Sequence, residues 1–187
     1  MAAISPQAII ASPVNMDRYS NEAFQKEMVI LYPRLNRALT AYLSGSQLDA
    51  DDILQDTLLK ACRNLDRFNG DSGLYTWLYS IARNICIDEF RKQKRRNGRS
   101  PVPVEEFKLA AEPSADESEN EEIMLLRKAI AGLPDKLREV VVMKAIDGMS
   151  YPEIAHITGT NEQTLKSQMF RARKLLAASL KKLGVDK

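Results

Sequence analysis

The chain has 187 residues, 44% of them hydrophobic and 28% charged, which is enough apolar material to bury a core and too much charge for a membrane-embedded protein. No apolar run approaches the roughly 20 residues that a bilayer crossing requires, and the opening residues lack the basic start and apolar centre of a secretory leader, so the expected compartment is the cytoplasm. Cys62 and Cys86 lie far apart inside helical patterns and His156 is the one histidine. Together they supply no ligand set for structural zinc; the cysteines read as reduced core residues, and no cofactor is expected.

The formal net charge of +2 conceals segments of opposite sign. Residues 1–99 carry 14 Lys and Arg against 11 Asp and Glu, residues 100–122 hold Lys108 against eight acids, and residues 123–187 carry 12 cations against six acids. Two basic ends therefore flank an acidic middle. That middle, SPVPVEEFKLAAEPSADESENEE, has few large apolar residues, so burial could not offset the entropy lost in ordering it. It reads as a flexible acidic linker over 99–122. On both sides of it apolar residues recur at three and four, with Gly and Pro mostly at segment ends, and nothing alternates as a strand ladder would. The expected fold is all-α: two small helical domains over 19–98 and 123–187, preceded by an N-terminal extension over 1–18.

In the front domain a first helix is expected over Asn21–Leu43, with Phe24, Met28, Leu31, Leu35 and Leu39 on one stripe and Pro33 as a site for a kink. A second should run from Asp49 to Leu65, burying Leu54, Leu58, Ala61 and Leu65 and exposing Asp52, Gln55, Asp56 and Leu59. After the loop Phe68-Asn69-Gly70-Asp71-Ser72-Gly73, a third buries Leu74, Leu78, Ile81 and Ile85 and ends in the basic run Arg91-Lys92-Gln93-Lys94-Arg95-Arg96.

The rear domain opens with a helix over Glu121–Ala131. A second helix follows Pro134 and stops at Gly148, a residue suited to the left-handed turn after a helix. Ser150-Tyr-Pro-Glu153 is a capping box that starts a short helix to about Thr158. Gly159 sits in the turn, and Thr160-Asn-Glu-Gln163 reads as a second capping box, opening a helix through Leu165, Met169, Ala172 and Leu176.

Two short helices joined by a tight glycine turn, the second ending in basic residues, form the pattern of a helix-turn-helix whose second helix enters the major groove. A structural helical hairpin would share the spacing. The outward face separates the two: Lys166, Ser167, Phe170, Arg171 and Lys174 lie opposite Leu165, Met169 and Ala172, offering cations for phosphates and guanine edges and a ring for a thymine methyl. In the third helix, Tyr75, Trp77 and Tyr79 crowd the first two turns ahead of Arg83, Asn84 and the basic run, as a surface for stacking unpaired bases would require; burial of Trp77 and one tyrosine in the core is the competing reading. The carboxylates Asp49, Asp51, Asp52 and Asp56 gather at a helix start, where the dipole favours acids, and have no His or Cys beside them for catalysis. With Gln55 and Leu59, the exposed acids suit a partner protein's basic helix. A stand-alone helix-turn-helix regulator would use the rear module but leave both front features unexplained, and a nuclease lacks clustered ligands.

The string DADDILQDTLLKACRNLDRFNGDSGLYTWLYSIARNICID, an acidic linker, and then LPDKLREVVVMKAIDGMSYPEIAHITGTNEQTLKSQMFRARKLL closely resemble bacterial sigma factors of the extracytoplasmic-function group over about residues 20–180. The resemblance implies a protein that binds core RNA polymerase, recognises minus-thirty-five and minus-ten promoter elements and helps to melt the DNA, while the polymerase does the chemistry. It implies that Asp52, Gln55 and Asp56, with Leu59 beside them, dock on the clamp of the polymerase's largest subunit. The loop from Phe68 through Asn69, Gly70, Asp71 and Ser72 would capture a flipped base of the minus-ten element, and Trp77, Tyr79 and Asn84 would contact the melted strand. Lys166, Ser167, Phe170 and Arg171 would read the duplex minus-thirty-five element, supported by Lys144. The linker would thread toward the polymerase's RNA exit path. An anti-sigma protein is an implied partner, and no small-molecule substrate is.

Overall fold

A computed structural model describes residues 21–96 and 121–184. The extension over 1–18 and the linker over 99–122 lie outside these residues, apart from Glu121 and Glu122, which open a helix. Among the described residues there are helices and turns but no strand. They divide into two compact units, one formed by 21–39 with 48–96 and the other by 40–47 with 121–184.

In the first unit, α1 (Asn21–Leu43) contributes residues up to Leu39. Phe24, Met28, Leu35, Ala38 and Leu39 are buried on its inner face, whereas Leu31 is only half-buried. The helix runs on through Pro33. Pro33 and Val29 are both exposed, so the Val29 carbonyl, deprived of its partner N–H by the proline ring, lies on the side that water can reach. The second helix, α2, covers Ala50–Arg63. Asp49 caps it, its carboxylate accepting from the Asp51 N–H at 2.8 Å, and Asp51 and Asp52 occupy the first turn, where negative charge meets the positive end of the dipole. Leu54, Leu58 and Ala61 are buried as the spacing requires, joined by Ile53 and Thr57. Leu65 is also buried but belongs to a separate 3-10 turn over Leu65–Arg67.

The third helix, α3 (Leu74–Arg96), packs along α2, and Arg34 of α1 places its guanidinium 3.9 Å from the centre of the Tyr75 ring, a cation–π contact that ties α1 to α3. The α3 stripe is wider than expected. Tyr75, Tyr79, Ala82 and Cys86 are buried with Leu74, Leu78 and Ile85, while Ile81 is only half-buried.

Both cysteines are free thiols in this core, and burial pushes the Cys62 thiol up, leaving little reactive thiolate near neutral pH. Iodoacetamide at pH 8 is therefore expected to modify the native chain at least about tenfold more slowly than the urea-unfolded chain, as mass spectrometry of timed samples would reveal.

The second unit holds α4 (Glu121–Ala131), α5 (Asp135–Val141), α6 (Tyr151–Thr158) and α7 (Glu162–Lys182). The long α7 packs against α4, α5 and α6. Ile130, Leu133, Val140, Met143, Met149, Ile154, Leu165, Met169 and Ala172 supply the core. Arg138 of α5 donates from Nε to the carbonyl of Ile130 at 3.3 Å and from Nη2 to those of Ala131 and Leu133 at 2.5 and 3.0 Å. Carbonyls at and just beyond the end of α4 are thereby bonded to one guanidinium.

The expected helix up to Gly148 is not α-helical throughout. It passes at Val142–Ile146 into a π turn, with the Asp147 N–H bonded to the Val142 carbonyl at 2.9 Å and that of Met149 to Met143 at 2.9 Å. Gly148 follows at φ 75°, a left-handed conformation that glycine adopts without steric cost. Among the described residues no helix is long and apolar enough to cross a membrane.

Candidate nucleic-acid interface

The rear module is built by its caps. At the start of α6 the Glu153 carboxylate accepts from the Ser150 N–H at 2.7 Å and from the Ser150 hydroxyl at 2.6 Å, while the Glu153 N–H donates to Ser150 Oγ at 3.3 Å, which makes a reciprocal capping box. Pro152 lies in the first turn, where a missing N–H has no consequence. Gly159 ends the helix at φ 67° and donates to the Ala155 carbonyl at 2.9 Å, turning the chain sharply into α7. Ser150→Ala is expected to destabilise this unit by about 1 kcal/mol, measurable as a lower urea midpoint for the loss of helix.

The second cap lies one residue later than the sequence reading placed it. The N-cap of α7 is Asn161, whose Oδ1 accepts from the Thr164 N–H at 2.8 Å. Thr160 is used in the turn instead, its N–H donating to Thr158 Oγ1 at 3.2 Å.

From this start α7 buries Leu165, Met169 and Ala172. Lys166, Ser167, Phe170, Arg171 and Lys174 are all exposed. Phe170 is 61% exposed, a costly placement for a phenylalanine unless something covers it, and Lys174 Nζ lies 4.6 Å from its ring centre. Lys144 is half-buried on the π turn and donates to the Met149 carbonyl at 2.9 Å. One residue near these was missed in the sequence: Tyr151, whose ring has both Lys144 and Lys166 within reach. An aromatic beside a capping serine was its only trace.

In the front unit α2 presents Asp52 and Asp56 to solvent, with Gln55 and Leu59 half-buried on the same side. In the loop between α2 and α3, Asn69, Gly70 and Asp71 are exposed and Ser72 is half-buried. The Asn69 side chain donates to the Asp71 carboxylate and accepts from the Asp71 N–H at 3.2 Å, closing a tight turn around Gly70 at φ 80°. Asn84 is exposed on α3.

The aromatic face expected on α3 is largely interior. Tyr79 is 2% and Phe68 8% exposed, and Tyr75 is also buried; the rings of Tyr75 and Tyr79 lie 6.1 Å apart. Trp77 is half-buried, 5.2 Å from the Phe68 ring. Tyr79 lies one turn beyond the buried Tyr75 on the apolar side of the helix, and Phe68 is buried in the loop ahead of α3, so neither ring forms the outer surface. Among the described residues no group of three His, Cys, Asp or Glu could hold a metal ion.

The family model for sigma-70 region 2 matches residues 29–96, and that for sigma-70 region 4 matches residues 123–176. The ECF RNA polymerase sigma-E factor of Escherichia coli strain K12 is 36% identical over 137 residues, covering 68% of this chain and 72% of that protein. The ECF RNA polymerase sigma factor EcfG of Rhodopseudomonas palustris strain TIE-1 is 33% identical over 159 residues, covering 85% and 86%. The chain belongs to the extracytoplasmic-function sigma factors.

Solved structures agree on the fold of this sigma factor. RpoE from Bartonella quintana, crystallised with the anti-sigma factor NepR, matches with a TM-score of 0.72 at 30% identity, over 89% of this chain and 99% of that one. CnrH, solved with the cytosolic domain of CnrY, matches with a TM-score of 0.63 at 27% identity, over 87% and 90%. The region 2 match spans α2, the loop and α3, and the region 4 match spans the helix-turn-helix.

Proposed function

We propose that this sigma factor grips the duplex minus-thirty-five element with α7 and the melted minus-ten strand with the α2–α3 loop and α3, while α2 holds core RNA polymerase. The observation that carries this reading is the exposed face of α7, where Lys166, Ser167, Phe170, Arg171 and Lys174 stand clear of the core on a helix with a firm N-cap. Cations and a solvent-facing phenylalanine together suit phosphates, base edges and a thymine methyl. In the front unit Asn69, Gly70, Asp71, Ser72, Trp77 and Asn84 are the proposed strand contacts, with Phe68 and Tyr79 shaping the surface beneath them. Asp52, Gln55, Asp56 and Leu59 are the proposed polymerase contacts.

The factor itself performs no reaction in this scheme: it supplies recognition, and the polymerase transfers nucleotides. Its place of action is the cytoplasm. An anti-sigma protein is a proposed partner, supported by the relative solved with NepR. Adding the full chain to core RNA polymerase on genomic DNA and sequencing the transcript ends tests the function. New, discrete start sites are expected, and their absence would overturn the reading.

A further inference from the structure

Two cations converge on one ring beside the recognition helix. Lys144 Nζ lies 5.1 Å and Lys166 Nζ 5.7 Å from the centre of the Tyr151 ring, both within the roughly 6 Å over which an aromatic face attracts an ammonium group. The three residues come from three elements: the π turn, the first residue of α6, and the second turn of α7. Each ammonium has a second tether, Lys144 to the Met149 carbonyl at 2.9 Å and Lys166 to the Glu162 carboxylate at 3.7 Å.

We propose that Tyr151 is a positioning residue for the DNA backbone. Its ring gathers Lys144 and Lys166 into one anion-binding pair for phosphates flanking the recognition helix, and base selection is left to Ser167, Phe170 and Arg171. The inference rests on the docking of α7 in the major groove proposed above.

Three physical points support it. A free lysine loses much rotamer freedom on binding, and the ring with the second tether removes part of that freedom in advance. Ring and carbonyl hold Lys144 without cancelling its charge, and Glu162 offsets that of Lys166 only across an exposed 3.7 Å pair, so the cluster keeps a net positive charge that an anion can meet. Lysine is a compact point charge without the rigid fork that reads a guanine edge, which fits it to phosphate. Glu162 also ties Lys166 toward the start of α7, one turn before Phe170 and Arg171.

For the test, the full chain is assembled with core RNA polymerase, a duplex is selected from a randomised pool, and affinity for that duplex is followed from about 50 to about 200 mM salt. Tyr151→Leu is expected to weaken binding about three- to tenfold and to flatten the slope of log affinity against log salt by about one, with the selected sequence unchanged. Tyr151→Phe, which keeps the ring, restores both. In a Lys144→Ala, Lys166→Ala background, Tyr151→Leu adds no further loss.

An unaltered slope in Tyr151→Leu overturns the proposal, as does the same loss in both backgrounds, which would mark a packing role. A change in the selected sequence overturns it too. Arg171→Ala separates the two levels. If it shifts the selected sequence while Tyr151→Leu has no effect, the docking of α7 stands and the role of Tyr151 falls. If it leaves the selection unchanged, both fall.

Discussion

Asp56→Arg is expected to weaken binding of the full chain to core RNA polymerase by about 2 kcal/mol or more, roughly thirtyfold, while leaving its affinity for duplex DNA unchanged. Asp56 is exposed on α2, one turn after Asp52, and its neighbours Ile53, Leu54, Thr57 and Leu58 carry the burial on the opposite side. The substitution touches no core atom and replaces one of two like charges at i and i+4, so its effect on stability should stay within about 0.5 kcal/mol. A positive charge placed where the proposed basic partner surface would dock is both a lost attraction and a new repulsion. Competition against a labelled wild-type chain measures the polymerase affinity. Unchanged competition would refute the docking of α2, and joint loss of polymerase and DNA binding would indicate misfolding.

Arg171→Ala is expected to cost about 1–3 kcal/mol of upstream-element binding and to relax base preference at one or two positions. Arg171 is exposed and directly follows Phe170 on α7, while the helix is anchored from its other side by Leu165, Met169 and Ala172. Its guanidinium can pair with a guanine edge through two parallel hydrogen bonds, which no lysine reproduces. Selection from a randomised duplex pool with wild-type and variant holoenzyme decides the matter: a narrower preference in the wild type supports the docking, and identical preferences count against it.

Much of this architecture is legible in the chain because it is local. Ser150 and Glu153 find each other within one turn, Gly159 supplies the left-handed residue between α6 and α7, and the apolar periods of α1, α2 and α7 select the faces that the structure buries. Where two neighbours could serve one purpose, local chemistry left the choice open. Thr160 and Asn161 are both good N-caps, and the bond from the Thr160 N–H to Thr158 Oγ1 assigns the first to the turn and the second to the cap.

Width and direction were decided elsewhere. Tyrosine suits either environment, so the spacing leaves open which α3 rings are core; the burial of both Tyr75 and Tyr79 follows from packing in the front unit, where Arg34 of α1 covers the Tyr75 ring. Helical period indicates which side of α3 faces inward but not how far the core wraps around it. The π turn at Val142–Ile146 has no spacing signature, and it lies in the same segment as Lys144.

By itself, then, the sequence determined the two helical modules, the helix-turn-helix with its exposed basic face, and the family to which the chain belongs, since each rests on neighbours a few residues apart or on blocks of such neighbours in order. Only the tertiary structure decided which aromatics reach the surface and that Lys144, Tyr151 and Lys166 meet. The physical reason is that a ring and two ammonium groups from three separate elements come within 6 Å only after those elements have packed, and nothing in their spacing along the chain encodes that approach.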